Sequence, residues 1–315
     1  YKMIPTKEEL ISSRDRITPY IHHTPVHSSA MINEIIGLEV FFKCENFQKM
    51  GAFKMRGASN AVLKLTQEQR DKGVTTHSSG NFAQAVALSA KLTNTKATIV
   101  MPSNAPEVKK KAVIGYGATV IDCEPTLKSR EETAQKVVNE LGATLLHPYN
   151  CYDVIAGNAS AALELMEQTN NLNAIFTPVG GGGLISGTAL AAHYFSQIKV
   201  YGAEPLGADD AYRSFKTGKL IPMVNPKTIA DGLRTSLGNK GFEIIKQHVA
   251  DIFTVEEQDI INAMKLVWER MKIIIEPSSA VPLAALINQK EKFKGQKIGI
   301  IISGGNVDLK HNYFK

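Results

Sequence analysis

Short runs rich in β-branched and other apolar residues alternate along this chain with longer stretches of helical periodicity, and that alternation limits the folds open to it more than any other feature. The runs fall at residues 74–76, 97–101, 119–121, 144–146, 174–179, 200–203 and 298–302. They are short and apolar without a polar face, which reads as strands of a parallel sheet covered on both sides. Helical patterns lie between them at 81–92, 106–116, 130–141, 155–167, 184–195 and 259–272. Thr6, with Glu9 three residues on, has the form of a capping box opening a first helix over 7–16. Strand, crossover helix and strand in succession predict an open α/β sheet. Gly117, Gly142 and Gly202 stand where such helices should end or strands begin.

With 315 residues, 43% of them hydrophobic and 21% charged, the chain can bury the core of one large or two medium domains. It has no low-complexity linker and no repeat of fixed period, so any division into domains must come from the chain crossing between two sheets. The net charge of +6 is spread along the chain without a run of five basic residues. Lys109-Lys110-Lys111 therefore reads as the solvated face of a helix, no nucleic-acid partner is expected, and the mild positive field suits an anionic cofactor or substrate. Cys44, Cys123 and Cys151 form neither a disulfide framework nor a CxxC metal pair, which fits a reducing compartment. The early residues Lys7, Glu8, Glu9, Arg14, Asp15 and Arg16 lack the apolar core of a secretion signal, and no later run approaches membrane-spanning length. The expected setting is the cytoplasm, with the chain mature from its start and no membrane partner.

Three glycine-containing loops fall at strand-to-helix junctions, the binding edge of an open α/β sheet. Gly180-Gly181-Gly182-Gly183 follows Pro178-Val179 and precedes a helix. Residues without Cβ let backbone wrap an anion at a helix N-terminus, so this loop reads as a phosphate cup; a tight turn or lid is the alternative. Its spacing does not match GxxxxGK[ST], which disfavours an ATP-cleaving loop. Ser78-Ser79-Gly80-Asn81 and Ser303-Gly304-Gly305-Asn306 could each hold a carboxylate, but taken alone the Ser78 motif reads as an ordinary helix cap and the Ser303 motif carries the same ambiguity. Lys54, in Gly51-Ala52-Phe53-Lys54-Met55-Arg56-Gly57, is by position a surface charge; burial beside apolar groups would lower its pKa and make it a Schiff-base nucleophile.

Taken together these elements resemble the fold-type II family of pyridoxal 5'-phosphate (PLP) enzymes, and within it the serine racemase and serine/threonine dehydratase branch. The resemblance runs over nearly the whole chain: Phe53-Lys54-Met55-Arg56-Gly57-Ala58, the Ser78 turn, the tetraglycine loop, residues 204–210, Ile229-Ala230-Asp231-Gly232, Glu276-Pro277 and Ser303-Gly304-Gly305-Asn306. It implies two open, twisted parallel-sheet domains with crossover helices, a large one from residues 1–72 and 151–315 and a small mobile one from 73–150, with PLP in the cleft between them. A homodimer is also implied.

By the same resemblance Lys54 forms the Schiff base with PLP and later moves the substrate α-proton. Phe53 packs beside the pyridine ring, Gly180, Gly181, Gly182 and Gly183 hold the phosphate, Asn81 contacts the ring hydroxyl, Ser303 faces the ring nitrogen, and Glu276 belongs to the cofactor site. Ser78, Ser79, Gly80, Asn81 and the backbone at Phe82 hold the substrate carboxylate. A neutral hydroxyl at the ring nitrogen makes a weaker electron sink than a protonated ring would be, which suits prompt loss of a β-hydroxyl. The implied reaction converts L-serine or L-threonine into a 2-keto acid and ammonia. Ser79 stands across the substrate from Lys54 in this scheme, where it either delivers a proton to the opposite face, as a two-base racemase requires, or only binds carboxylate or caps the helix. Glu204, the Ala208 carbonyl and Asp210 are similar to a Mg²⁺ or Ca²⁺ site, although acidic residues before a helix also have a plain capping role.

The chain departs from the family pattern at Phe82, where His is usual, at Ala52, at Tyr149 after His147-Pro148, and at Gly157-Asn158-Ala159-Ser160. These bear on substrate choice more than on cofactor. Arg130 matches a substrate-gating arginine or is a helix-surface charge. Because little follows Asn306-Val307-Asp308-Leu309, no feedback-regulatory domain is expected. The alternatives are serine racemisation or dehydration of 3-hydroxyaspartate as the main activity, and a non-catalytic PLP protein. A nicotinamide oxidoreductase is disfavoured because the first βα turn has no GxGxxG.

Overall fold

The computed structural model describes residues 3–78, 80–105 and 107–314; Ser79 and Pro106 lie outside the described residues. The strands are β1 (Val26–His27), β2 (Glu39–Cys44), β3 (Val74–His77), β4 (Ala97–Pro102), β5 (Thr119–Cys123), β6 (Thr144–Leu145), β7 (Ala174–Pro178), β8 (Lys199–Pro205), β9 (Val249–Val255) and β10 (Lys297–Ile302). They build two sheets, one ordered β1-β2-β10-β7-β8-β9 and the other β5-β4-β3-β6. Among the described residues every strand pairing is parallel except that of β1 with β2. The chain therefore leaves the larger sheet after β2, completes the smaller one, and returns to the larger at β7.

Burial on both faces explains the apolar strands. Helix Pro277–Asn288 places Leu283 and Leu286 in one apolar cluster with Phe42, Phe176 and Ile300. On the other side, helices Tyr152–Gln168 and Gly183–Phe195 bring Ile155, Leu163 and Leu190 together with Ile175 and Ile301. The smaller sheet packs Ile99 and Met101 with Val86 of helix Asn81–Leu92 and Ala61 of helix Lys54–Leu63. The register sets Ile302 beside Cys44 and Ile300 beside Phe176, so the carboxyl ends of β2, β10 and β7 emerge together. That edge is where ligands bind in open α/β sheets.

Periodicity finds most of these elements but misses β1, β2 and β9. Lys43 interrupts the apolar reading of β2, yet it is fully buried because Glu164 pairs with it at 2.6 Å. Asp251 interrupts β9 and pairs with Lys216 at 2.7 Å. Helix Pro277–Asn288 is concealed in the sequence by its internal Pro282. Helix Leu127–Leu141 starts earlier than 130, capped by Thr126. Gly202 lies inside β8 and not at a boundary; a Cβ there would stand 2.7 Å from Val179 and 2.8 Å from Ile185, so close packing demands the glycine.

Candidate active site

Lys54 is the first residue of helix Lys54–Leu63, and the backbone leading into it is pinned to the loop after β10. Phe53 N–H donates to the Ser303 carbonyl at 2.9 Å, Ala52 bridges Gly304, and Gly305 N–H donates to the Gly51 carbonyl at 2.9 Å. The lysine loop and the Ser303 loop, far apart in the sequence, are thus one hydrogen-bonded unit. Behind it, Arg56 is fully buried between Glu45 at 2.8 Å and Glu164 at 2.7 Å, and Lys43 shares Glu164. Gly157 lets helix Tyr152–Gln168 cross tightly here, since a Cβ on it would come 2.6 Å from the Arg56 carbonyl. Helix Lys54–Leu63 is consequently locked by charge and by backbone contact.

The Lys54 ammonium donates to the Pro148 carbonyl at 3.0 Å and lies 5.1 Å from the Phe53 ring centre and 5.6 Å from that of Phe82. Desolvation by this surrounding pulls its pKa down to about 8, opposed by the negative charge of Glu276. An accessible fraction of neutral amine near physiological pH is what a Schiff-base nucleophile and proton carrier needs.

The tetraglycine loop runs from the end of β7 into helix Gly183–Phe195, with Gly182 at φ 89° as its N-cap. Its lack of side chains is required by crowding. A Cβ on Gly181 would meet Tyr149 Cγ at 2.1 Å, and one on Gly180 would meet the Gly232 carbonyl at 3.1 Å. This is a backbone-lined cradle at a helix N-terminus, suited to an anion.

Asn81 begins helix Asn81–Leu92, beneath the Ser78 turn, and reaches across to the larger sheet. Its Nδ2 donates to Glu276 Oε1 at 3.1 Å and Oε2 at 3.0 Å, while its Oδ1 accepts from Asn306 Nδ2 at 2.9 Å. Glu276 is buried and its pKa is raised to about 7, first by desolvation and then by the negative charge of Asp231. The Ser303 hydroxyl is buried 2.9 Å from that of Ser279. Within the Ser78 turn, the Ser78 hydroxyl accepts from Gly80 N–H at 3.3 Å, a contact inside the turn, while the helix N-cap is Gly80 and has no side-chain cap. A further tie joins Lys109 to Asp231 at 2.8 Å.

Phe82 is buried in the core of the smaller sheet, with its ring facing Lys54. His147 Nδ1 accepts the Asn150 N–H at 3.0 Å, and burial, then His77, then Lys54 push its pKa down to about 4, so it is neutral. Arg130 donates to the Thr126 carbonyl at 3.4 Å, and its charge helps burial to lower the pKa of His77. The structure brings Lys54, Phe53, Asn81, Glu276 and Ser303 into one neighbourhood; Arg130 approaches it through its charge.

Glu204 and Asp210 are both fully buried. Glu204 accepts the N–H groups of Ala211 at 3.3 Å and Tyr212 at 2.7 Å, and Asp210 Oδ2 accepts Leu237 N–H at 2.7 Å. Asp210 Oδ1 has no partner among the described residues. Burial raises both carboxyl pKa values, that of Asp210 to about 6, and the charge of Asp210 lifts Glu204 further. Among the described residues no group of three or more His, Cys, Asp or Glu side chains is arranged to hold a metal.

Sequence reasoning does not single out Ser279, the Pro148 carbonyl or Lys109 with Asp231 as a pair. Asp231 and Pro148 stand in motifs noted for other reasons; nothing marks Ser279, because an apolar helix carries it to Ser303. The described residues include no helix long and apolar enough to cross a membrane.

The sequence profile described as "Pyridoxal-phosphate dependent enzyme" matches residues 17–304. The chain is 52% identical to a serine racemase of Dictyostelium discoideum, over 96% of this chain and 95% of that protein. It is 48% identical to a beta-hydroxyaspartate dehydratase of Paracoccus denitrificans, over 97% of this chain and 98% of that one. The crystal structure of a threonine deaminase superposes with a TM-score of 0.93 at 40% identity, covering 97% of this chain and 99% of the other. The chain belongs to the pyridoxal-phosphate-dependent enzymes, and its lysine, glycine cradle and buried polar edge suit that cofactor.

Proposed function

We propose that this member of the pyridoxal-phosphate-dependent enzymes is an ammonia-lyase that eliminates the β-hydroxyl of L-serine and L-threonine, with serine racemisation as a competing fate of the same deprotonated substrate. The observation that carries the reading is Lys54, held between Phe53 and Phe82 with its pKa lowered to about 8, at the edge where the Ser303 loop meets it. Bound PLP supplies the electron sink for the bond broken at Cα. Gly180 to Gly183 hold its phosphate, Phe53 flanks its ring, Ser303 faces the ring nitrogen, and Asn81, oriented by Glu276, faces the ring hydroxyl.

Ser78, Ser79, Gly80, Asn81 and the Phe82 backbone are assigned to the substrate carboxylate, Ser79 from its motif alone. Lys54 takes the α-proton and gives it to the β-hydroxyl, which leaves as water. The released enamine tautomerises and hydrolyses to keto acid and ammonia. Ser79 protonates the opposite face when racemisation occurs. Residues 73–150 close over the cleft and exclude water, a reading supported by the Asn81–Glu276 and Lys109–Asp231 ties between segments of the two sheets. Glu204, Asp210 and the Ala208 carbonyl hold Mg²⁺ or Ca²⁺; the unpartnered Asp210 Oδ1 supports this, because a hard cation takes such oxygens and completes its shell with water. The working form is a cytoplasmic homodimer.

A second reading makes 3-hydroxyaspartate the main substrate. It is favoured by the name of the Paracoccus relative and by the positive charge of Arg130, felt at His77 and Tyr149, which would attract a second carboxylate. PLP-reconstituted protein given L-serine, L-threonine and L-threo-3-hydroxyaspartate separately decides between them. Keto acid from the first two at the higher kcat/KM supports the primary reading; a clear preference for the third transfers the assignment, and no keto acid from any of them removes both.

A further inference from the structure

We infer that Ser279 is a positioning residue for Ser303: its hydroxyl donates to Ser303 Oγ and so turns the Ser303 hydrogen toward the ring nitrogen of the cofactor. The inference rests on the reading that Ser303 faces that nitrogen. Ser279 is the third residue of helix Pro277–Asn288, which begins just after Glu276. The first turn is fastened in place, since Ser279 N–H donates to the Glu276 carbonyl at 2.9 Å and Glu276 N–H donates to the Gly304 carbonyl at 3.1 Å. Ser279 and Ser303 are both buried, so each hydroxyl must find its partners away from solvent.

Ser279 Oγ lies 2.9 Å from Ser303 Oγ, 2.8 Å from the Gly304 nitrogen and 2.8 Å from the Gly304 carbonyl oxygen. Among the described residues the Ser303 hydroxyl has no other hydrogen-bond partner. An amide N–H can only donate, so Ser279 Oγ accepts from Gly304 in every arrangement. The single hydrogen of Ser279 then has two acceptors within reach. Directed at the Gly304 carbonyl, it leaves Ser303 to donate back to Ser279 and to offer only lone pairs to the cofactor. Directed at Ser303 Oγ, it frees the Ser303 hydrogen for the ring. The Gly304 carbonyl stays satisfied in this second arrangement, because Glu276 N–H still donates to it.

An unprotonated pyridine nitrogen is an acceptor and selects the second arrangement. The result is a one-way string of donors from Gly304 N–H through Ser279 and Ser303 to the ring. A hydroxyl that accepts a hydrogen bond donates a stronger one, so Ser303 draws more electron density from the nitrogen than an isolated serine would. Ser279 thereby strengthens the ring as an electron sink without placing a charge beside it.

The test is the ¹⁵N magnetic resonance signal of the ring nitrogen in full-length protein reconstituted with ¹⁵N-labelled PLP, with no substrate present. Ser279→Ala should move the signal from its wild-type position toward that of a pyridine nitrogen that accepts no hydrogen bond, and Ser279→Thr, which keeps the hydroxyl, should return it. Ser279→Cys, a weak donor, should move it in the same direction as alanine and serves if the alanine variant fails to fold. A signal unmoved in Ser279→Ala and Ser279→Cys but moved in Ser303→Ala overturns the inference and leaves the Ser303 reading intact. Equal movement in the threonine and alanine variants also overturns it, because Ser279 would then only support the backbone at Gly304. If Ser303→Ala itself leaves the signal in place, Ser303 does not face the nitrogen and the inference falls with that reading.

Discussion

Asn81 Nδ2 donates to both carboxylate oxygens of Glu276, at 3.1 and 3.0 Å, joining the helix that follows β3 of the smaller sheet to the loop before helix Pro277–Asn288 of the larger. A titratable carboxyl therefore holds the residue assigned to the cofactor's ring hydroxyl.

That carboxyl has its pKa raised from 4.5 to about 7 by burial and by Asp231. Between those values the folded protein binds more protons than the unfolded chain, so the contribution is fully present below about pH 4.5 and is lost as pH rises through 7. Lys54 titrates above this window. In cofactor-free protein the stability of wild type should fall, relative to Glu276→Gln, by on the order of 3 kcal/mol across the window. Urea midpoints at a series of pH values measure it, and a pH-independent difference contradicts the assignment.

Arg56 is fully buried with Glu45 and Glu164, and Lys43 shares Glu164. Arg56→Met leaves carboxylates in the interior without their partner, and unfolding free energy should drop by about 3–5 kcal/mol. Denaturant unfolding of the cofactor-free protein checks this; a loss under about 1 kcal/mol would mean the network does not anchor the Lys54 helix.

Gly181→Ala would place a methyl group 2.1 Å from Tyr149 Cγ, so the aromatic ring must leave the cradle. PLP affinity should fall by about 10-fold or more, since an overpacked site costs on the order of 1–3 kcal/mol. Adding Tyr149→Ala should recover most of it. Unchanged PLP binding in the single variant would remove Tyr149 from the wall of the phosphate site.

Ser79→Ala separates the two fates of the substrate. Serine racemisation should fall by roughly 100-fold or more, the ordinary contribution of a positioned acid or base, while pyruvate formation persists. Chiral analysis of serine alongside a keto-acid assay reads both; parallel losses would assign Ser79 to carboxylate binding instead.

The parts of this site that lie next in sequence to a strand end are legible without coordinates. The Ser78 turn, the tetraglycine loop and Ser303 stand in marked motifs, because β-branched runs and glycine punctuation announce where parallel strands stop, whereas Lys54 follows the unmarked β2 and is singled out by the family resemblance of its motif. What periodicity cannot reveal is partnership across the chain. Ser279 meets Ser303 at 2.9 Å only because helix Pro277–Asn288 covers β10, and Pro282 conceals that helix. Lys43 makes β2 look broken, since its compensating carboxylate is 121 residues away. Arg130 is marked by its motif alone, and its influence on the site is that of its charge.

The most direct test compares absorbance of wild type and Lys54→Ala after reconstitution with PLP, followed by keto-acid assay with L-serine. A visible band that depends on Lys54, together with pyruvate release by wild type and not by the variant, is the predicted result. The same band and the same pyruvate rate in Lys54→Ala would contradict the account, because the reaction would then proceed without the residue on which it is built.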